Sequence, residues 1–132
     1  MQTTLQLSAI GQIAMVVSSI EVATAFYKDK LSVPYLFSAP PKLAFFNLGG
    51  VRLMLAEPEN AAESDKIGKN STLYFKVDDI HSAFETLSAR GVPVEDKPHI
   101  ITRMGSIELW MAFFSDPDHN LIGIMCEVPI NS

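Results

Sequence analysis

The stretch Gln12-Ile13-Ala14-Met15-Val16-Val17-Ser18-Ser19-Ile20-Glu21-Val22-Ala23 returns sixty positions later as Thr72-Leu73-Tyr74-Phe75-Lys76-Val77-Asp78-Asp79-Ile80-His81-Ser82-Ala83. Val17 falls on Val77, Ile20 on Ile80 and Ala23 on Ala83, and a residue of helix-capping type, Ser18 or Asp78, stands at the same place in both copies. A repeat of this length means two copies of one supersecondary unit, neither of which easily buries its apolar face alone. A cleft between two such units is the natural place for a site.

Working outward, the first unit opens with a strand at about 10–17. Ser18 followed by Glu21 fits a capping box, and Ile20, Ala23, Phe26 or Tyr27, and Leu31 fall on one helical face. Pro34 stops that helix, and a short strand near 35–38 is broken by Pro40-Pro41. Leu43 to Leu48 and Val51 to Ala56, joined by Gly49-Gly50, read as a β-hairpin. The second unit repeats the order: a strand at about 71–77, then a helix capped by Asp78 and ended by Gly91, with Ile80, Ala83, Phe84 and Leu87 on its face. A strand near 94–103 with a break at Pro98, a long apolar strand from Ile107 to Phe114, a tight turn at 115–120 and a strand from Leu121 to Glu127 follow. The expected organisation is a single domain over 1–132, with module one at 8–57, a polar linker at 58–70 and module two at 71–129. Each helix carries one apolar face, so both are expected on one side of the sheets, leaving the other side to curve around a cavity or meet another surface.

A chain of 132 residues fits one domain, and 48% hydrophobic residues supply ample core. The net charge of −5 and the scattering of ten Lys and Arg argue against nucleic acid or an anionic membrane as main partner. Cys126 is the single cysteine, which excludes an intrachain disulfide and suits a reducing compartment. The first seven residues lack the basic charge of a signal peptide, and no apolar run reaches the roughly 18 residues of a membrane span. A soluble, cytoplasmic protein is the expectation. Asn70-Ser71-Thr72 fits the glycosylation triplet but stands in no secretory context.

His81, His99 and His119 fall on three different surfaces, so solvated or structural roles suffice for them. If the turn around His119 needs a left-handed backbone, His is among the better-tolerated substitutes for Gly. Cys126 reads as a small buried hydrophobe, and Glu57 and Glu59 as a solvated strand end ahead of a general base. Strand alternation groups Gln12, Ala14 and Val16 with Arg52, Met54 and Ala56, and Thr72, Tyr74 and Lys76 with Leu121, Gly123 and Met125. That surface is apolar, rich in thioether and sparing in donors, as small-molecule sites are; filled barrel interiors look alike. Arg52 and Lys76 either attract a carboxylate or phosphate or reach solvent at the rim. Phe37, Phe45, Phe46, Trp110, Phe113 and Phe114 supply aromatic rings on strands, for stacking on a flat ligand, for core, or for a dimer interface.

The helix openings Ser18-Ser19-Ile20 and Asp78-Asp79-Ile80, the pair Phe26-Tyr27 and the stretch Phe114-Ser115-Asp116-Pro117-Asp118-His119-Asn120-Leu121-Ile122 together resemble the vicinal oxygen chelate superfamily. This is the group of glyoxalases, bleomycin-resistance proteins and extradiol dioxygenases, and the resemblance runs from about Ile10 to Pro129. It implies an α+β fold of two βαβββ modules forming a cupped half-barrel. Enzymes of the group hold a divalent metal through one ligand from each of four strands, and the metal acts as a Lewis acid on two neighbouring substrate oxygens. By this resemblance the four ligands fall on Gln12, Met54, Thr72 and Gly123. Only Gln12 offers a good oxygen donor; Met54 is a soft thioether, Thr72 a neutral hydroxyl, and Gly123 has nothing to give.

The resemblance and these positions imply a protein without metal, cofactor or catalytic residue that binds a small apolar or aromatic molecule in the cleft between its modules. The expected ligand-binding set is Gln12, Arg52, Met54, Thr72, Tyr74, Trp110, Gly123, Met125 and Phe46. A homodimer is a further implication of the resemblance. The alternatives are an enzyme of the same superfamily, metal-dependent or metal-independent, of glyoxalase or lyase, epimerase or dioxygenase type, and a fold used purely for protein interaction.

Overall fold

The structure, a computed structural model, describes residues 5–130. Each copy of the repeat grows into one βαβββ module with its own four-stranded sheet. Strands β1 (Gln12–Val16), β2 (Tyr35–Ala39), β3 (Leu43–Leu48) and β4 (Val51–Ala56) lie in the order β1-β4-β3-β2. Strands β5 (Leu73–Lys76), β6 (Val94–Met104), β7 (Ile107–Ser115) and β8 (Leu121–Pro129) lie in the equivalent order β5-β8-β7-β6. β1 runs parallel to β4 and β5 parallel to β8, and the remaining neighbours are antiparallel. The expected α+β architecture of two βαβββ modules holds, and the sheets remain open rather than closing into a barrel.

Helix α1 (Ile20–Ala25) runs on into a π-helical turn, Phe26–Lys30, closed by Leu31 N–H to the Phe26 carbonyl at 3.1 Å. The wider turn lets consecutive Phe26 and Tyr27 both face inward, so the sequence choice between them resolves as both. Helix α2 (Ala61–Ser64) is a single turn inside the polar segment, capped by the Asn60 side chain, and α3 (Ile80–Ala89) is the long helix of module two. The capping expectation is off by one residue in both copies. Ser19 and Asp79 take the extended cap conformation and accept from backbone N–H groups of the first turn, while Ser18 is drawn away by Asp118 and Ile20 N–H is taken by the Glu57 carboxylate. Glu57 is thereby part of the α1 cap instead of a solvated strand end. Gly49 and Gly50 both have positive φ, as a tight hairpin turn demands. β6 continues through Pro98 by shifting register between Asp96 and His99.

Helices cover one face of each sheet. In module one Met15, Val17, Leu53, Leu55, Ala44 and Phe46 are buried there, and in module two Ile122, Ile124, Ala112, Phe114 and Cys126 are their counterparts. These side chains form one hydrophobic cluster spanning both modules. Among the described residues no helix is long and apolar enough to cross a membrane.

Candidate functional site

The turn between β7 and β8 fastens the modules together. Asp116, buried, accepts from the backbone N–H groups of Asp118 and Asn120, from the Asn120 side-chain amide and, at 2.8 Å, from the Tyr27 hydroxyl of module one. Burial, then the charge of Asp116, pushes the Tyr27 phenol well above the ordinary tyrosine range, so it stays a donor. Asp118 accepts from both the N–H and the hydroxyl of Ser18, and the Asn120 side-chain oxygen accepts from Asn70. Asn70 in turn pairs with the N–H and the C=O of Val16 at 3.0 and 2.9 Å, occupying the free edge of β1. His119 sits in this turn at φ 67°, the left-handed geometry the turn requires.

The corresponding turn of module one, Asn47 to Val51, faces α3 instead, and there the packing is open. Leu87, sixty positions after Tyr27, stands where Tyr27 makes its bond to Asp116. Between them lies a cavity of about 1000 Å³. Module one supplies Ile13, the loop Leu31 to Pro34 and the hairpin turn; module two supplies the edge of β5, the α3 residues Ala83, Thr86 and Leu87, and Ile122 with Ile124. The walls are mainly aliphatic, with Thr72, Lys76 and Asn47 among the few polar groups. One rim is strapped by Arg90, which donates to the Lys30 carbonyl and the Ser32 hydroxyl at 2.9 Å each.

The face of the sheets turned away from the helices carries a second constellation. On sheet one, Gln12 Oε1 accepts from Arg52 Nε at 2.8 Å, Gln12 Nε2 lies 3.9 Å from Met54 Sδ, and the Arg52 guanidinium lies 5.5 Å from the Phe45 ring centre. Phe37 stacks on Phe45 at 4.7 Å. On sheet two, Tyr74 meets Phe113 edge-on at 5.9 Å, with Gly123 beneath both rings.

The expected ligand-binding residues therefore divide. Thr72 and Tyr74 border the cleft along the edge of β5, with the Tyr74 ring itself turned to the outer face over Gly123. Gln12, Arg52 and Met54 come together on the outer face of sheet one. Gly123 lies on the outer face of sheet two, and half-buried Met125, two residues further along β8, shares it. Phe46 is a correction, fully buried, tilted against Tyr27 and edge-on to Tyr35, while half-buried Trp110 packs edge-on to His81 of α3 at 5.2 Å, on the helix-facing side. The reason is strand parity. Residues 45 and 46, like 110 and 113, fall on opposite faces of the pleat, so the rings on the outer face are Phe45 and Phe113. The cavity, expected on the side away from the helices, lies between the modules on the helix-facing side. Asn70 was invisible in the sequence beyond a glycosylation triplet. Its importance comes from pairing with backbone, and side-chain patterning carries no trace of that.

A divalent metal does not fit the four inherited positions. The one good oxygen donor, Gln12 Oε1, already accepts from a cationic guanidinium, and the place of a side chain at Gly123 is filled by aromatic rings. Among the described residues no group of three or more His, Cys, Asp or Glu side chains comes together in a way that could hold one.

A family model described as the Glyoxalase/Bleomycin resistance protein/Dioxygenase superfamily matches residues 9–124. The chain is 32% identical over 123 residues to the uncharacterized protein YraH of Bacillus subtilis (strain 168), covering 86% of this chain and 94% of that one. Among solved structures, an integron cassette protein from the mobile metagenome of V. cholerae superposes with a TM-score of 0.75 at 22% identity, covering 93% of this chain and 98% of its own. Lactoylglutathione lyase from Agrobacterium tumefaciens does so with a TM-score of 0.71 at 23% identity, covering 91% and 94%. Likeness at these identities is likeness of fold.

Proposed function

The chain belongs to the glyoxalase, bleomycin resistance protein and dioxygenase superfamily, and from that premise we propose that it is a metal-free binding member which takes a small apolar or aromatic molecule in the cleft between its modules. The observation that carries this reading is the cavity of about 1000 Å³ with aliphatic walls and few polar groups. Small-molecule sites have this make-up: apolar walls provide affinity at about 0.8 kcal/mol per buried methylene, and isolated donors set orientation. Here Asn47, Thr72 and Lys76 are the polar residues at the cleft. Binding of this kind needs no metal and no acid or base, which agrees with the donor set at Gln12, Met54, Thr72 and Gly123.

The test is a thermal-shift screen of aromatic drugs and metabolites against the wild-type chain and Thr86→Trp, which places an indole in the cleft. A ligand that raises the melting temperature of the first and not of the second supports the proposal. No stabilising compound in a broad screen, or equal shifts in both proteins, counts against it. Stoichiometric nickel, zinc, iron or manganese in carefully purified protein would overturn the metal-free part. We also propose a homodimer. Exposed Ile101, Met104, Val128 and Ile130 near one end of sheet two support it, and light scattering after size exclusion checks it.

A further inference from the structure

The cavity between the modules has aliphatic walls, Ile13, Leu31, Leu73, Leu87, Ile122 and Ile124 among them. Aromatic rings are scarce there: Phe75 is present, while Tyr74 turns its ring to the outer face. Among the described residues no Asp or Glu lines the cavity, although the chain holds fifteen of them against ten Lys and Arg. Lys76 borders it but shares the strand parity of Tyr74, which leaves Arg90, at the C-terminal end of α3, as the cation of the rim. Arg90 Nη1 makes two bonds, to the Lys30 carbonyl and the Ser32 hydroxyl at 2.9 Å each, and the Lys30 ammonium donates back to the Arg90 carbonyl. The guanidinium is therefore fixed through one corner. Among the described residues its Nε–Nη2 edge makes no hydrogen bond, and neither Arg90 nor Lys30 joins an ion pair. Ser32 stands beside them at φ 58°, a left-handed backbone that strains any residue other than glycine, and its own hydroxyl hydrogen is uncommitted among the described residues.

We infer that the cleft takes an aliphatic carboxylate, a fatty acid, with its charged end on Arg90 and its hydrocarbon chain between the two modules. Paired N–H groups on the Nε–Nη2 edge match the two carboxylate oxygens, and the Lys30 ammonium and Ser32 hydroxyl stand next to them as further donors. A tail without rings suits walls that are branched and aliphatic and offer few faces for stacking. A lining without acidic side chains keeps the rim positive in a chain of net charge −5, which favours an anion over a neutral or cationic ligand. This inference rests on the cleft reading and narrows it: of the apolar molecules the cavity admits, those with an anionic end bind best, and that end lies at the α3 rim.

The experiment titrates octanoate, hexanoate and the uncharged 1-octanol into the full chain by calorimetry. Wild type, Arg90→Gln, Arg90→Lys, Lys30→Gln, Thr86→Trp and Arg103→Gln are compared after melting curves establish that each is folded; the last removes the same charge outside the cleft. Octanoate should bind at least about tenfold tighter than octanol, a gap that closes in Arg90→Gln and narrows in Arg90→Lys, which keeps the charge and loses the fork. Lys30→Gln should narrow it as well, Arg103→Gln should leave it unchanged, and Thr86→Trp should weaken acid and alcohol alike. Hexanoate should bind about tenfold more weakly than octanoate, since each methylene contributes roughly threefold to fourfold. Acid and alcohol bound equally in wild type, and both lost in Thr86→Trp, overturn the anionic end and leave the cleft reading intact. A gap that survives both Arg90 variants, or an affinity indifferent to chain length, overturns the inference. Octanoate held equally by Thr86→Trp lies outside the cleft and overturns it too. A wild-type dimer that Thr86→Trp splits, with no octanoate binding, assigns the cleft to a second copy of the chain and overturns both readings.

Discussion

Replacing Gly123 by Ala tests why a glycine stands at this point of β8, the position to which the resemblance assigns a metal ligand. A β-carbon at this position would lie 2.6 Å from Tyr74 Cδ2, 3.0 Å from Tyr74 Cε2 and 3.2 Å from Phe113 Cε1. The first is a clash, and the other two are tight contacts. The backbone is not the obstacle, because Gly123 is absent from the glycines with positive φ. Tyr74 is 47% exposed and can swing outward, at the cost of its edge contact with Phe113, worth about 0.5–1.5 kcal/mol. Overpacking of this size costs about 1–3 kcal/mol, while loss of unfolded-state freedom on going from Gly to Ala returns about 0.4–1 kcal/mol. Gly123→Ala should therefore destabilise the wild type by about 1–2 kcal/mol. In a Tyr74→Ala background the clash is gone and Phe113 has only a few tenths of an ångström to give, so the same change should be neutral or stabilising. Urea unfolding of the four proteins of this cycle, followed by far-ultraviolet circular dichroism, measures the coupling. If Gly123→Ala costs the same in both backgrounds within about 0.5 kcal/mol, Tyr74 is not what excludes a side chain at 123 and the packing argument fails.

Tyr27→Phe removes a buried donor from Asp116 and should cost about 1–3 kcal/mol at neutral pH. It should also change the alkaline limb of the stability curve. The folded Tyr27 is held neutral while the unfolded residue ionises near pH 10, so its contribution is intact below pH 10 and declines above it by about 1.4 kcal/mol per pH unit; denaturation between pH 9 and 11 should be less steep in the variant. Asn70→Ala strips two bonds from Val16 and should cost about 2–4 kcal/mol, against about 1 kcal/mol for Asn60→Ala, which only uncaps the four-residue α2; paired melting curves decide. His119→Gly should be neutral or stabilising because φ is 67°, whereas His119→Val should lose about 1–2 kcal/mol, and equal behaviour of the two would deny any backbone strain there.

The architecture was legible because it rests on periodicity. The 60-residue repeat, the Gly49-Gly50 hairpin, the Gly91 stop and the burial of Cys126 all express rules that act within a few residues. The caps missed by one position because Ser18 and Ser19, or Asp78 and Asp79, have equal local aptitude, and Asp118, a hundred residues on, decides between the serines. The site was only half legible. Alternation sets position 12 beside 52 and 54, whereas the type of ring at Phe45 and Phe46 says nothing of the face each takes, and strand parity decides it. The repeat points to a cleft between the modules, but not to the side on which it opens, since that comes from a difference between two equivalent contacts, Tyr27 with Asp116 and Leu87 with an open space, and a repeat announces only what its copies share.

The fastening around the β7–β8 turn joins residues far apart along the chain. Ser18 and Asp118 are 100 positions apart, Tyr27 and Asp116 are 89, and Val16 and Asn70 are 54. Inside the modules the β3–β4 hairpin closes over Gly49-Gly50, and the longest strand pairings, β1 with β4 and β5 with β8, join residues such as Gln12 and Arg52 or Leu73 and Ile122. Closing the longer loops costs more entropy and their return comes only when both modules are already shaped. If the 100- and 89-residue closures come last, weakening these bonds should raise the unfolding rate while leaving the refolding rate nearly unchanged, as stopped-flow kinetics of Ser18→Ala and Tyr27→Phe would read. How long a folded molecule lasts is then governed less by the repeat that shapes it than by six residues, Ser115 to Asn120, that the repeat does not contain.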